Sequence, residues 1–160
     1  MRILGIDPGS QITGYAVIEK EGSLLRHIAH GEIRPRKKSL LSEVLISIHR
    51  QLSEVIRDAT PDAIAVEDIF YGKNVRSLIK QAEVRGLVIF TGADQGIPVF
   101  EYSPLEVKQA VVGYGRAEKK QVQIMVKVIL KLSSLPPADA ADALAVAVCH
   151  ANFCKEQPIR

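Results

Sequence analysis

The chain has 160 residues, the length of one domain, and a domain of this size buries roughly two-thirds of its unfolded surface. Hydrophobic residues make up 47% and charged residues 24%, which excludes a disordered chain. The net charge of +3 permits a nucleic-acid partner without arguing for one, and neither end carries a basic or acidic run. The longest apolar run, residues 143–149, falls far short of the roughly 18 residues of a membrane span. An acid already at position 7 argues against a signal peptide, so a cytoplasmic protein is expected. Cys149 and Cys154 lie five apart and lack the spacing of a metal site with His150, so both read as buried, reduced thiols.

Residues 2–7 read as a short buried strand closed by Pro8-Gly9. Residues 13–20 and 24–33 alternate as two further strands around the turn Glu21-Gly22-Ser23, and links this tight favour an antiparallel meander. From 39 to 59 the period becomes helical, with Leu41, Val44, Leu45, Ile48, Leu52, Val55 and Ile56 on one stripe. Residues 63–70 are apolar on both faces until the acids, as in a central parallel strand. A helix over 74–94, a strand over 98–102 and helices over 104–111, 118–132 and 138–153 complete the order. This is an α/β domain with a five-stranded mixed sheet, an antiparallel meander then parallel strands, and helices on both faces. One domain over 1–154 with a flexible tail over 155–160 is expected.

Four acids interrupt these apolar elements. Asp7 ends the first strand, Glu67 sits late in the central strand, and Asp139 and Asp142 open the final alanine-rich helix. Ionised carboxylates in apolar surroundings cost several kcal/mol unless paired or coordinated, and no Lys or Arg is near them in sequence. Asp7 shares a strand face with Ile3 and Gly5, and Glu67 with Ala63, Ala65 and Ile69, so small residues beside each acid let a helix approach. Asp139 and Asp142, at i and i+3, project from one side of a helical turn, which Val146, Cys149 and Phe153 continue into the core. Asp68 points to the other face. Taken singly, Asp7 before Pro-Gly suits a turn, and the two helix acids suit the helix dipole. If the helix crosses the sheet, all four meet at one edge, and oxygen donors without His or Cys suit Mg²⁺ or Mn²⁺. Two such ions would clamp a phosphodiester.

The residues after the central strand, Phe70, Tyr71, Gly72, Lys73, Asn74 and Arg76, place an aromatic pair beside a basic loop, suited to stacking an unpaired base, although Phe70 could equally close the core. Lys119-Lys120 opens a helix, an unfavourable place for cations that a phosphate partner would explain, and a solvated face is the plain alternative. Lys80 and Arg85 could touch phosphates or merely solvate their helix. The helix over 74–94 has more apolar residues than one core-facing stripe needs, which fits a two-fold partner.

The motifs Gly5-Ile-Asp7-Pro-Gly9-Ser10 with Thr13-Gly14-Tyr15, Val66-Glu67, Lys73-Asn74, Val99-Phe-Glu-Tyr102, Val107-Lys108-Gln109, Val111-Val112-Gly113 with Gly115, Ala117-Glu118-Lys119 and Ala138-Asp139-Ala-Ala-Asp142-Ala-Leu144-Ala145 run in order through nearly the whole chain. Together they resemble the RuvC family of bacterial Holliday-junction resolvases, in the ribonuclease H-like superfamily. The resemblance implies metal-dependent hydrolysis of DNA phosphodiesters, leaving 5′-phosphate and 3′-hydroxyl ends, with Asp7, Glu67, Asp139 and Asp142 as metal-binding acids. It implies two Mg²⁺ per site with Mn²⁺ able to substitute. It also implies a homodimer that nicks a four-way DNA junction symmetrically near thymines, and work with RuvA and RuvB. Lys108 and Lys119 match family lysines near the scissile phosphate, and Phe70 matches an aromatic that contacts bases at the crossover. The alternatives are a non-catalytic junction-binding protein, a RuvX/YqgF-like nuclease of the same fold, and a nucleotide-hydrolysing cousin from the actin and sugar-kinase branch. The last needs two such domains, the Asp139-x-x-Asp142 ending fits RuvC better than RuvX/YqgF, and four intact carboxylates argue against a degenerate site.

Overall fold

A computed structural model describes residues 1–69 and 74–153. Strands β1 (Arg2–Asp7), β2 (Thr13–Glu21) and β3 (Leu24–Ile33) form an antiparallel meander, turned at Gly22 with φ of 59°. β4 (Ala63–Glu67) adds parallel to β1, and β5 (Val99–Tyr102) parallel to β4. The order is β3-β2-β1-β4-β5. Helices α1 (Leu41–Ala59) and α2 (Val75–Asp94) flank β4 in sequence; α3 (Pro104–Val112), α4 (Lys119–Ile129) and α5 (Ala138–Phe153) follow β5.

Strand alternation divides the core into two layers. Leu4 and Ile6 of β1, Val17 of β2 and Ile64 and Val66 of β4 pack against Ile48, Leu52 and Ile56 of α1 and Val84 and Val88 of α2. Ile3 of β1, Ala16 and Ile18 of β2 and Ala65 of β4 face the other way, onto α5 and the α3–α4 pair. α5 is buried along almost its whole length, because the sheet lies beneath it while α3 and α4 cover its outer side. Helices apolar all round belong in such interiors.

Close approach of α5 to the sheet depends on glycine. A Cβ on Gly5 would overlap the Ala143 carbonyl oxygen, and one on Gly14 would overlap the Asp139 carbonyl oxygen. Both obstacles are backbone, so neither can swing aside.

The boundaries differ from the sequence expectation in instructive places. The central strand stops at Glu67 rather than at 70, and the Asp68 carboxylate accepts the Ile69 N–H at 2.7 Å. The helix expected over 118–132 ends at Ile129, where Lys131 turns left-handed with φ of 52°. Phe153, expected in the core, is 59% exposed, since the helix has by then run past the edge of the sheet. Cys149 is buried, whereas Cys154 and the expected tail over 155–160 lie outside the described residues. His150 donates to or accepts from the Tyr102 hydroxyl at 2.8 Å, and burial followed by Lys20 pushes its pKa down to about 4. That makes it a neutral core residue. Among the described residues no helix is long and apolar enough to cross a membrane.

Candidate active site

The parallel pairing of Ile6 with Val66 sets Asp7 and Glu67 side by side as the two strands end. This is the carboxyl edge, where open α/β sheets receive their ligands. A hydrogen bond joins the two side chains, so one of the two carries a proton. Burial, then Asp142, push Asp7 up to about 7; burial, then Asp7, push Glu67 up to about 8. Both residues are half-buried at the strand ends, and like charges accumulate around them.

α5 brings the other two acids by register. Asp7 pairs with Gly14 of β2, and the bare Gly14 seats the Asp139 backbone directly above it. Asp142, one turn further along α5, interacts with both Asp7 and Glu67. Burial raises the pKa of Asp139, and so does Glu32, which lies opposite Gly14 on β3. Glu32 is in turn held by Arg34 at 2.5 Å. Neither Glu32 nor Arg34 stood out in the sequence; only the β2–β3 register brings them here.

A cation stands at the mouth of the acidic edge. Lys119, first residue of α4, places Nζ 2.9 Å from Asp142 Oδ2, which raises the lysine pKa first through that hydrogen bond. The partner that local sequence lacked thus arrives from an element 23 residues away. In this arrangement, no group of three acid, histidine or cysteine side chains among the described residues forms a ready-made ion cage. The donor set nevertheless fits hard divalent cations: every donor is a carboxylate oxygen, and burial with like-charge crowding holds the pKa values of Asp7 and Glu67 up where positive charge is scarce.

The expected DNA-contact residues divide. Lys119, Lys120 and Arg76 are exposed, and Lys108 is half-buried on α3. Asn74 caps α2, its side chain accepting from the Ser77 N–H at 3.3 Å. Phe70, Tyr71 and Lys73 lie outside the described residues. Arg85, open between phosphate contact and solvation, turns inward: its guanidinium binds Glu101 and stands 3.7 Å from Asp68.

A family model described as crossover junction endodeoxyribonuclease RuvC matches residues 3–150. The chain belongs to the RuvC family. A RuvC crossover junction endodeoxyribonuclease from Geotalea uraniireducens is 55% identical over 152 residues, covering 95% of this chain and 89% of that protein. The RuvC of Geobacter sulfurreducens is 52% identical over 152 residues, 95% and 93% of the two chains. Among solved structures, Thermus thermophilus RuvC in complex with a Holliday junction substrate superposes with a TM-score of 0.92 at 33% identity, covering 99% of each chain. The ribonuclease H-like RuvC architecture expected from the sequence is the one observed, and the RuvC family makes this chain a nuclease.

Proposed function

We propose that this chain resolves four-way DNA junctions by paired, symmetric, metal-dependent hydrolysis during recombination and repair, with Asp7, Glu67, Asp139 and Asp142 as the metal-binding acids. The observation that carries the reading is the meeting of these acids, from β1, β4 and α5, at one strand-end edge. The likeness to a relative complexed with a Holliday junction substrate supports the choice of DNA substrate.

Divalent cations, Mg²⁺ or Mn²⁺ and two per site, would supply Lewis acidity that activates a water and stabilises the leaving oxygen. The chain's own part is to fix the oxygen donors on rigid elements. Asp7 and Glu67 would hold the cations as carboxylates, since positive charge would offset the burial and mutual repulsion that raise their pKa values. Lys119 exchanges Asp142 for the scissile phosphate, neutralising charge that develops there. Lys108, Lys120, Asn74 and Arg76 hold neighbouring phosphates, and Phe70, Tyr71 and Lys73 engage unpaired bases at the crossover.

Two nicks need two sites. On α2 the residues Val75, Ile79, Ala82, Gly86 and Phe90 form an exposed stripe at helical spacing, with Phe90 59% exposed. A second copy covers this stripe and gives the dimer the two-fold symmetry of the junction. Monomer alone in sedimentation at micromolar concentration would contradict that part. RuvA and RuvB supply branch migration, and the cytoplasm is where all three act.

The test uses a synthetic four-way junction with a mobile core, alongside linear duplex. Symmetric paired nicks with Mg²⁺ and none with chelator are expected. Junction binding without nicks would leave a binding protein, and equal cutting of linear duplex would leave a nuclease of other specificity.

A further inference from the structure

The β2–β3 ribbon carries an irregularity remote from the acids. Val17 stands opposite Ala29 but Ile18 stands opposite His27, so Ile28 is the extra residue of a β-bulge. Residues three apart in a regular strand point to opposite faces; the bulge turns His27 and His30 to the same one. Their rings meet, with His27 Nε2 2.8 Å from His30 Nδ1, centroids 4.9 Å apart and planes inclined by 55°. The pair lines a cleft of about 510 Å³ between the start of β3 and the segment after α4, shared with Leu25, Leu132, Ser133 and Ser134.

Two imidazole nitrogens that face each other can share a proton or a metal ion. Zinc–nitrogen bonds of about 2.0–2.1 Å in tetrahedral geometry need the nitrogens about 3.3 Å apart. The rings reach that separation by opening about half an ångström, well within side-chain adjustment. We propose that His27 and His30 are the two protein ligands of a borderline divalent ion, Zn²⁺ or Ni²⁺, seated in this cleft with water completing its coordination.

Three features of the site support the assignment. Burial, then His30, lower the His27 pKa, so its lone pair is available at neutral pH. The protons balance: the ring that donates in the pair shifts its proton to its outer nitrogen, both rings stay neutral, and each presents a lone pair to the ion. The neighbouring Arg26 is occupied by Glu19 at 3.9 Å and Glu21 at 3.6 Å. Lys131 also lines the cleft and holds the affinity to a moderate level. Imidazole selects borderline ions and carboxylate selects hard ones, so the two ends of the sheet take different metals. Gly14 beneath the acids and Ile18 beside His27 are four residues apart along β2, about 13 Å. Since β3 is the edge strand, an ion here fastens the bulge and stabilises the folded chain by mass action.

The probe is Zn²⁺ alone, added to the chelator-stripped full chain while the imidazole NMR signals of its 4 histidines are followed. One equivalent is expected to shift the His27 and His30 signals and leave His49 and His150 in place. His27→Gln or His30→Gln is expected to weaken Zn²⁺ binding at least about tenfold. Asp142→Asn is expected to leave the His27 and His30 shifts intact. Unmoved His27 and His30 signals in the wild-type chain, or shifts abolished by Asp142→Asn, would overturn the proposal whether or not the histidine variants fold.

Discussion

Lys119 Nζ lies 2.9 Å from Asp142 Oδ2, joining the first residue of α4 to the second acid of α5. The lysine side chain is 82% exposed while the aspartate is 17% exposed, so the cation sits on the mouth of the acidic edge rather than within it. An exposed pair of this kind contributes about 0–1 kcal/mol to folding. Lys119→Ala is therefore expected to leave the melting temperature nearly unchanged. Junction nicking should fall roughly a hundredfold, the scale of losing one charge-stabilising donor. Single-turnover rates at saturating junction, with a thermal melt of the same sample, check both halves.

Asp7 and Glu67 make the metal-free protein sensitive to pH. Their folded pKa values, about 7 and about 8, stand above the ordinary 3.8 and 4.5. Between those limits the folded state binds more protons than the unfolded one, so stability falls as pH rises from about 4 to about 8. Asp7→Asn removes much of that loss. At pH 8 without metal, the variant is expected to be more stable than wild type by on the order of 2 kcal/mol, and at pH 4 the difference should vanish. Urea denaturation in chelator at the two pH values measures it. Added Mg²⁺ should stabilise wild type and do little for the variant.

Gly14 sets the height of α5 above the sheet. Gly14→Ala puts a Cβ onto the Asp139 carbonyl, and either β2 or the first turn of α5 must move. A destabilisation of about 1–3 kcal/mol is expected from such overpacking. Nicking should fall further than junction binding, because Asp139 moves while the basic surface does not. Comparing binding by gel shift with single-turnover cleavage separates the two effects.

Arg85 holds two carboxylates together at the root of the segment that follows β4. Glu101 has its pKa raised by burial first, with Arg85 lowering it and Asp68 raising it. Arg85→Ala leaves Asp68 and Glu101 to repel each other. It is expected to cost about 1–2 kcal/mol in a partly solvated setting, less than the cost of breaking a fully buried pair. Asp68→Asn in the same background should restore part of the stability, read as a coupling in a double-mutant cycle.

Much of this arrangement was legible in the residues themselves. Small residues beside Asp7 and Glu67 forecast the close helix, and Gly5 against Ala143 is that contact. Alternation located β2 and β3, short apolar runs located β1 and β4, and the i, i+3 spacing put Asp139 and Asp142 on one side of α5. What escaped depends on tertiary register. Lys119 meets Asp142 only through the packing of α4 on α5. Glu32 reaches Asp139 only because β3 pairs with β2. The bulge at Ile28 leaves no local mark in a strand of ordinary composition. The apolar Ile69-Phe70 pair prolonged the apparent central strand, whereas the Asp68 carboxylate takes the Ile69 N–H just past its end.

The proposed mechanism makes Asp7, Glu67, Asp139 and Asp142 one metal site for strand cleavage. Its most direct measurement is junction nicking by Asp7→Asn, Glu67→Gln, Asp139→Asn and Asp142→Asn, each at protein concentrations that saturate the junction in a parallel gel shift. All four variants are expected to bind the junction as wild type does and to nick it at least about a thousandfold more slowly in Mg²⁺. A variant that binds normally and still nicks at the wild-type rate would remove its residue from the site and contradict the account.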